Sequence, residues 1–128
     1  MYEDMSEKFE DFKTIHYEFT DLVICSNLGD ILFKTESISY TTESLKQILD
    51  TWLHNKEELI FNDIRYSVLK SDIYQYAALN PPLKLGIVGS MDKEYNYAIG
   101  FVEADKNPEN SLLISSIELN KLVWGTSS

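Results

Sequence analysis

The sequence predicts an α+β fold: an antiparallel sheet of about six to seven strands, with helices from the two termini covering a face. Three observations carry this. Apolar residues recur at helical spacing in three segments, and alternate or run together over a few residues in seven others. The segments follow the order α-β-β-α-β-β-β-β-β-α. Consecutive strands are joined mainly by short, turn-forming links, which suit an antiparallel meander. At 128 residues, 44% of them hydrophobic, a single domain with one sizeable core is expected. No repeat, low-complexity segment or interdomain linker interrupts it.

Residues 4–18 have the first helical pattern. Met5, Phe9, Phe12 and His16 share one face, while Glu7, Glu10 and Asp11 take the other. Glu3 and Asp4 suit the positive end of the helix dipole. Phe9 and Phe12 have core spacing. Phe19 to Ser26 is a strand around the apolar run Leu22-Val23-Ile24-Cys25, and Ile31 to Thr35 is its returning partner across an Asn27–Asp30 turn. Thr41-Thr42-Glu43 opens a second helix, with a hydroxyl to cap the free amides and an acid in the first turn. Leu45, Ile48, Leu49, Trp52 and Leu53 form its stripe, and His54-Asn55-Lys56 ends it.

Leu59 to Lys70 reads as a hairpin placed mid-sheet. Asn62-Asp63 tolerates the positive φ of a tight turn. Beyond it, Ile64, Tyr66 and Val68 face the core, and Arg65, Ser67 and Leu69 face outward, with Lys70 at the strand end. Tyr74 to Leu79 is a further strand, broken by Asn80-Pro81-Pro82. Lys84 to Ser90 follows. Its Gly86 and Gly89 predict a bulge or close approach of another backbone. After a Met91–Glu94 turn, Tyr95 to Glu103 is the longest strand, with Tyr95, Tyr97, Ile99 and Phe101 on one face. Asn107-Pro108-Glu109 is a helix start, and the helix runs to about Val123 with an apolar stripe broad enough to touch more than the sheet.

Charge restricts the function classes. The net charge is −10, and residues 1–21 hold seven acids against two lysines. That balance opposes nucleic-acid binding and attraction to anionic lipid. No acidic-free apolar leader and no run near the bilayer-spanning length appears, so a soluble cytoplasmic protein is expected. Cys25, the lone cysteine, reads as a small buried hydrophobe. No catalytic constellation is visible. His16 and His54 lie on different expected helices, and one cysteine with two histidines gives no metal-ligand spacing. Gly86-Ile87-Val88-Gly89 lacks the dinucleotide fingerprint and the helix that should follow it. No cofactor is expected. Tyr66, Tyr74, Tyr76, Tyr95 and Tyr97 are concentrated in the sheet, as cross-strand aromatic pairs or as a contact surface for a protein.

The hairpin carries a resemblance. Ile60 to Lys70 (IFNDIRYSVLK) is similar to the central hairpin of profilins, where a small loop leads into a strand of the form basic-x-Ser-Val-aliphatic-basic. Arg65, Ser67, Val68, Leu69 and Lys70 match it position by position. Asp21 to Phe33 resembles the first profilin hairpin, Ser39 to Leu53 the helix after it, Leu83 to Glu103 the last two strands and Pro108 to Val123 the C-terminal helix. The acidity and the loose match resemble a divergent, archaeal-type member.

The resemblance implies a profilin-like sheet with the terminal helices packed on one face and a further helix on the other. It implies a monomeric, cytoskeleton-associated regulator of actin polymerisation. Carried over to this chain, the actin-binding candidates are Arg65, Ser67, Leu69, Lys70, Lys84, Asn107, Glu109, Asn110 and Leu113. Many profilins hold polyproline between their terminal helices through an N-terminal Trp. None stands in the first 50 residues here, which leaves Tyr2 and Trp124 as a replacement pair. Phosphoinositide binding is expected to be weak or absent, because basic clusters are few. The alternative is a roadblock- or longin-like adaptor that scaffolds small GTPases. An enzyme is the third class, without a nucleophile–base or metal set to support it.

Overall fold

The computed structural model describes residues 2–35, 42–106 and 112–125. Its elements follow the expected order: α1 (Met5–Lys13), β1 (Phe19–Cys25), β2 (Ile31–Lys34), α2 (Thr42–Leu53), β3 (Glu58–Phe61), β4 (Ile64–Ser71), β5 (Gln75–Asn80), β6 (Leu85–Met91), β7 (Tyr97–Glu103) and α3 (Leu112–Trp124). The strands form one seven-stranded antiparallel sheet in the order β2-β1-β7-β6-β5-β4-β3. The run from β3 to β7 is the expected meander. The first hairpin instead joins the far side, with Val23 opposite Ile99. That long-range pairing leaves β3 at an edge, so the β3–β4 hairpin is peripheral and not mid-sheet.

Each face of the sheet has its own core. On one, Leu45, Ile48, Leu49 and Trp52 of α2 pack on Leu59, Phe61, Tyr66, Tyr76, Ile87 and Ile99. On the other, Met5 and Phe9 of α1 and Leu119 of α3 pack on Phe19, Leu22, Ile24, Ala77, Val88 and Ala98. Terminal helices on one face and α2 on the other is the arrangement the profilin resemblance implies. Trp52 is the keystone of the α2 side. Its ring stacks on Tyr76 at 5.3 Å and meets Tyr97 edge-on at 5.1 Å, and its Nε1–H donates to the Asp72 carbonyl at 2.6 Å. Tyr66, Tyr76 and Tyr97 are buried in this layer, whereas Tyr74 and Tyr95 are exposed.

Several local expectations are corrected. α1 stops at Lys13, and His16 lies beyond it, because the Thr14 hydroxyl donates to the Asp11 carbonyl at 2.6 Å and the Thr14 N–H closes the last turn. His16 then packs at a tilt against Phe12, with ring centroids 4.5 Å apart. β6 pairs in regular register on both sides, so its glycines mark no bulge. What approaches them is side chain: a Cβ at Gly89 would fall 2.6 Å from Trp52, and one at Gly86 2.9 Å from Leu112 of α3. Tyr95 leaves the expected strand. It sits at φ +62° in the β6–β7 turn, where Asp92 Oδ1 accepts the Glu94 and Asn96 N–H groups. Asn62 and Asp63 are both left-handed, as the tight hairpin turn requires. The expected helix openings at Thr41 and Asn107-Pro108-Glu109 lie outside the described residues.

Burial also sets an alkaline limit. It pushes the Cys25 thiol up to about 12 and the Tyr76 phenol to about 12, and it raises Tyr66 and Tyr97 as well. In the unfolded chain these groups ionise from about pH 9 to 10. Between there and about pH 12 the folded state holds more protons than the unfolded one, so stability falls as pH rises through that window and is unaffected below it. Urea midpoints should be level up to about pH 8.5 and fall steadily above pH 9. A midpoint unchanged to pH 11 would contradict this.

Candidate protein-binding face

The α3-side core contains no residue of β3 or β4. α3 reaches β5 through Gln75, whose Nε2 donates to the Leu113 carbonyl at 3.1 Å and Ser116 Oγ at 2.6 Å. It reaches β6 through Asn120, which donates to Ser90 Oγ at 2.6 Å. Past β5 no described element covers the same sheet face. That open strip carries the hairpin's outward residues. Register places them: Arg65 stands opposite Ile60, and Ser67 between Glu58 and Leu79.

Lys70 belongs to the strip for a reason that alternation does not give. Strict alternation would send it to the α2 side, next to Trp52. The β4–β5 register shifts between Val68 and Lys70, so Leu69 is an extra, bulged residue and Lys70 pairs with Ala77, a member of the α3-side core. The bulge therefore sets Leu69 and Lys70 beside Arg65 and Ser67. Leu69 is 57% exposed and Ile60 53%. The register sets them towards opposite ends of the strip, Ile60 beside Arg65 and Leu69 beside Lys70, with Glu58 and Ser67 between. Each apolar side chain thus has a cation beside it: Arg65 pairs with Glu58 at 3.6 Å and Lys70 with Asp72 at 3.4 Å, both exposed pairs that a partner's charges can replace at little cost.

Lys84 lies in the β5–β6 turn at the Arg65 end of the strip, joined to it through Asn80. Leu113 is an exposed residue in the first turn of described α3. The structure thus brings Arg65, Ser67, Leu69, Lys70 and Lys84 to one side, with Leu113 on the helix that borders the strip. Asn107, Glu109 and Asn110 lie outside the described residues. Ile60 was not among the candidates, although it could have been found: a two-residue Asn62-Asp63 turn fixes Ile60 opposite outward-facing Arg65. The exposed Ile73 and Tyr74 in the β4–β5 turn had no such signal.

Tyr2 and Trp124 line different cavities among the described residues. Tyr2 lines a cavity of about 500 Å³ with Glu3, Leu32 and Asn96. Trp124 lines one of about 450 Å³ with Tyr74, Met91, Asp92 and Asn120. Both side chains pack partly on the α3-side core. Among the described residues, no group of three or more His, Cys, Asp or Glu could hold a metal ion, and no helix is long and apolar enough to cross a membrane.

A strip of exposed apolar side chains, each next to an exposed cation, with no reactive group among its described residues, suits contact with a protein surface. Comparisons with known proteins fit that. No family model matches the chain. Among solved structures, LokiProfilin1 superposes with a TM-score of 0.75 at 17% identity, covering 98% of this chain and 96% of that one. LokiProfilin2, solved in complex with rabbit actin, gives a TM-score of 0.71 at 19% identity over 94% and 96% of the two chains. At these identities the likeness is one of fold. Sequence carries it further: Loki profilin-3 of Lokiarchaeum sp. (strain GC14_75) is 32% identical over 111 residues, 85% of this chain and 87% of the relative. With that identity spread across nearly the whole of both chains, this protein belongs to the profilin family.

Proposed function

We propose that this protein binds an actin monomer through the open strip of β3–β4 and thereby regulates actin polymerisation. The observation that carries the reading is the strip itself: Ile60 and Leu69 stand exposed on it, beside Arg65, Lys70 and Lys84, on a chain whose net charge is −10. LokiProfilin2 and LokiProfilin1, which share the fold, have each been solved with rabbit actin, and this supports the choice of partner. The proposed action is steric and not chemical. A monomer with one end covered cannot enter a nucleus through that end, so spontaneous nucleation slows, and nucleotide exchange on the bound actin changes with it. The protein acts as a cytoplasmic monomer beside the cytoskeleton, without enzymatic activity.

The candidate residues keep their roles within this reading: Arg65, Ser67, Leu69, Lys70, Lys84 and Leu113 contact actin, together with Asn107, Glu109 and Asn110, and Ile60 joins them. Separate cavities for Tyr2 and Trp124 argue against a polyproline groove between the terminal helices. Few cations and the acidic balance argue for weak phosphoinositide binding. Membership of the profilin family replaces the adaptor alternative. Size-exclusion chromatography with in-line mass measurement, using monomeric actin from the same source, tests the reading. A 1:1 complex is expected. Two separate peaks at micromolar excess of the protein would overturn it.

A further inference from the structure

We propose that Asn80 is a positioning residue of the actin-binding face, acting through Arg65 and Lys84; the proposal rests on the reading of that face given above. Asn80 closes β5, where the ladder between β4 and β5 has already lapsed. The last paired residues there are Ser67 and Leu79. Beyond them a side chain takes over from the main chain. Asn80 Nδ2 donates to the Arg65 carbonyl at 2.8 Å, and its Oδ1 accepts the Leu83 N–H at 2.8 Å. One amide group therefore ties the backbone under one cation to the turn that carries the other.

That turn is itself tightly held. Lys84 adopts φ +55°, a left-handed conformation that is unfavourable for an L-residue other than Asn or Asp. Its N–H donates to the Pro81 carbonyl at 3.2 Å, and its carbonyl accepts the Ala104 N–H at 2.7 Å, from the loop that follows β7. Backbone strain of this kind persists only where the surroundings over-determine it. Asn80, Pro81 and Ala104 supply those surroundings. The consequence is that the Cα positions of Arg65 and Lys84 move as one unit. Two long, flexible cations then dock with less conformational freedom to lose than two independent loops would have.

A double-mutant cycle tests this by titrating monomeric actin with the full chain. Asn80→Ala should weaken actin affinity about five- to tenfold in the wild-type background, and should have no further effect on affinity when Arg65→Ala and Lys84→Ala are already present. Its effect on the urea midpoint should be the same in both backgrounds, which separates positioning from general stability. Asn80→Asp keeps the acceptor for Leu83 and loses the donor to Arg65, so it should show the same dependence and provides a second route if the alanine variant folds poorly. An equal loss of affinity in both backgrounds, or no loss in the wild-type background, overturns the proposal. Wild-type affinity in the Arg65→Ala/Lys84→Ala protein, measured without any change at Asn80, would instead overturn the assignment of the face, and the proposal with it.

Discussion

Trp52→Ala is expected to destabilise the protein by about 3–5 kcal/mol, a large part of the roughly 5–15 kcal/mol that holds a domain of this size folded. The indole is almost wholly buried and fills the gap above Gly89, where not even a methyl group would fit beside it. Its removal leaves Tyr76 and Tyr97 without their shared ring contact, and opens a cavity that the stiff sheet below cannot close. It also frees the Asp72 carbonyl, and with it one fastening of the β4–β5 turn. The neighbouring fastening, Ser71 Oγ–H to the Trp52 carbonyl at 2.8 Å, is main-chain on the helix side and survives. Trp52→Phe should cost less, because an aromatic ring remains to stack on Tyr76 while the indole donor is lost. Equilibrium urea unfolding distinguishes the two; equal midpoints for Trp52→Ala and wild type would remove Trp52 from its place at the centre of the α2-side core.

The largest effect on binding is expected from reversing charge at the bulged strand. Arg65→Glu combined with Lys70→Glu should weaken actin affinity by at least about thirtyfold, the scale of a hot spot at an interface where like charges are forced together. Stability should barely move. Both side chains are exposed, and their ion pairs with Glu58 and Asp72 are of the surface kind, worth about 0–1 kcal/mol each. Titration of labelled monomeric actin reads the affinity, and the urea midpoint serves as the control. Unchanged affinity in a folded double variant would take the actin site away from β4.

Much of this face could be read from the chain, and the parts that could not have physical reasons. Alternation from Ile64 gave the outward Arg65 and Ser67, because a strand with one buried side has only one register that keeps Tyr66 and Val68 covered. The Asn62-Asp63 turn was legible because both residues tolerate the left-handed backbone found there. The bulge was not. Leu69 is an ordinary β-strand residue, and nothing local says that it is supernumerary; the shift exists only relative to β5. Lys70 is therefore a candidate by family likeness, and its side of the sheet is known only from the structure. Long-range order was equally silent. The pairing of β1 with β7, which moves the hairpin to the edge and leaves its face uncovered, depends on contacts across most of the chain. The end of α1 is hard to read because the helical spacing of Phe12 and His16 outlasts the regular helix: Thr14 keeps helical dihedrals and the His16 N–H donates to the Phe12 carbonyl at 2.9 Å, beyond the last residue of α1. Tyr95 continues the alternating pattern of Tyr97 and Ile99, yet Asp92 draws it into the turn.

The most direct test of the whole account is the lag phase of actin polymerisation, followed with actin from the same source and an excess of this protein. The account predicts a longer lag in the presence of the wild-type protein and a lag close to that of actin alone with the Arg65→Glu/Lys70→Glu variant. A lag unchanged by the wild-type protein, at concentrations well above that of actin, would contradict it.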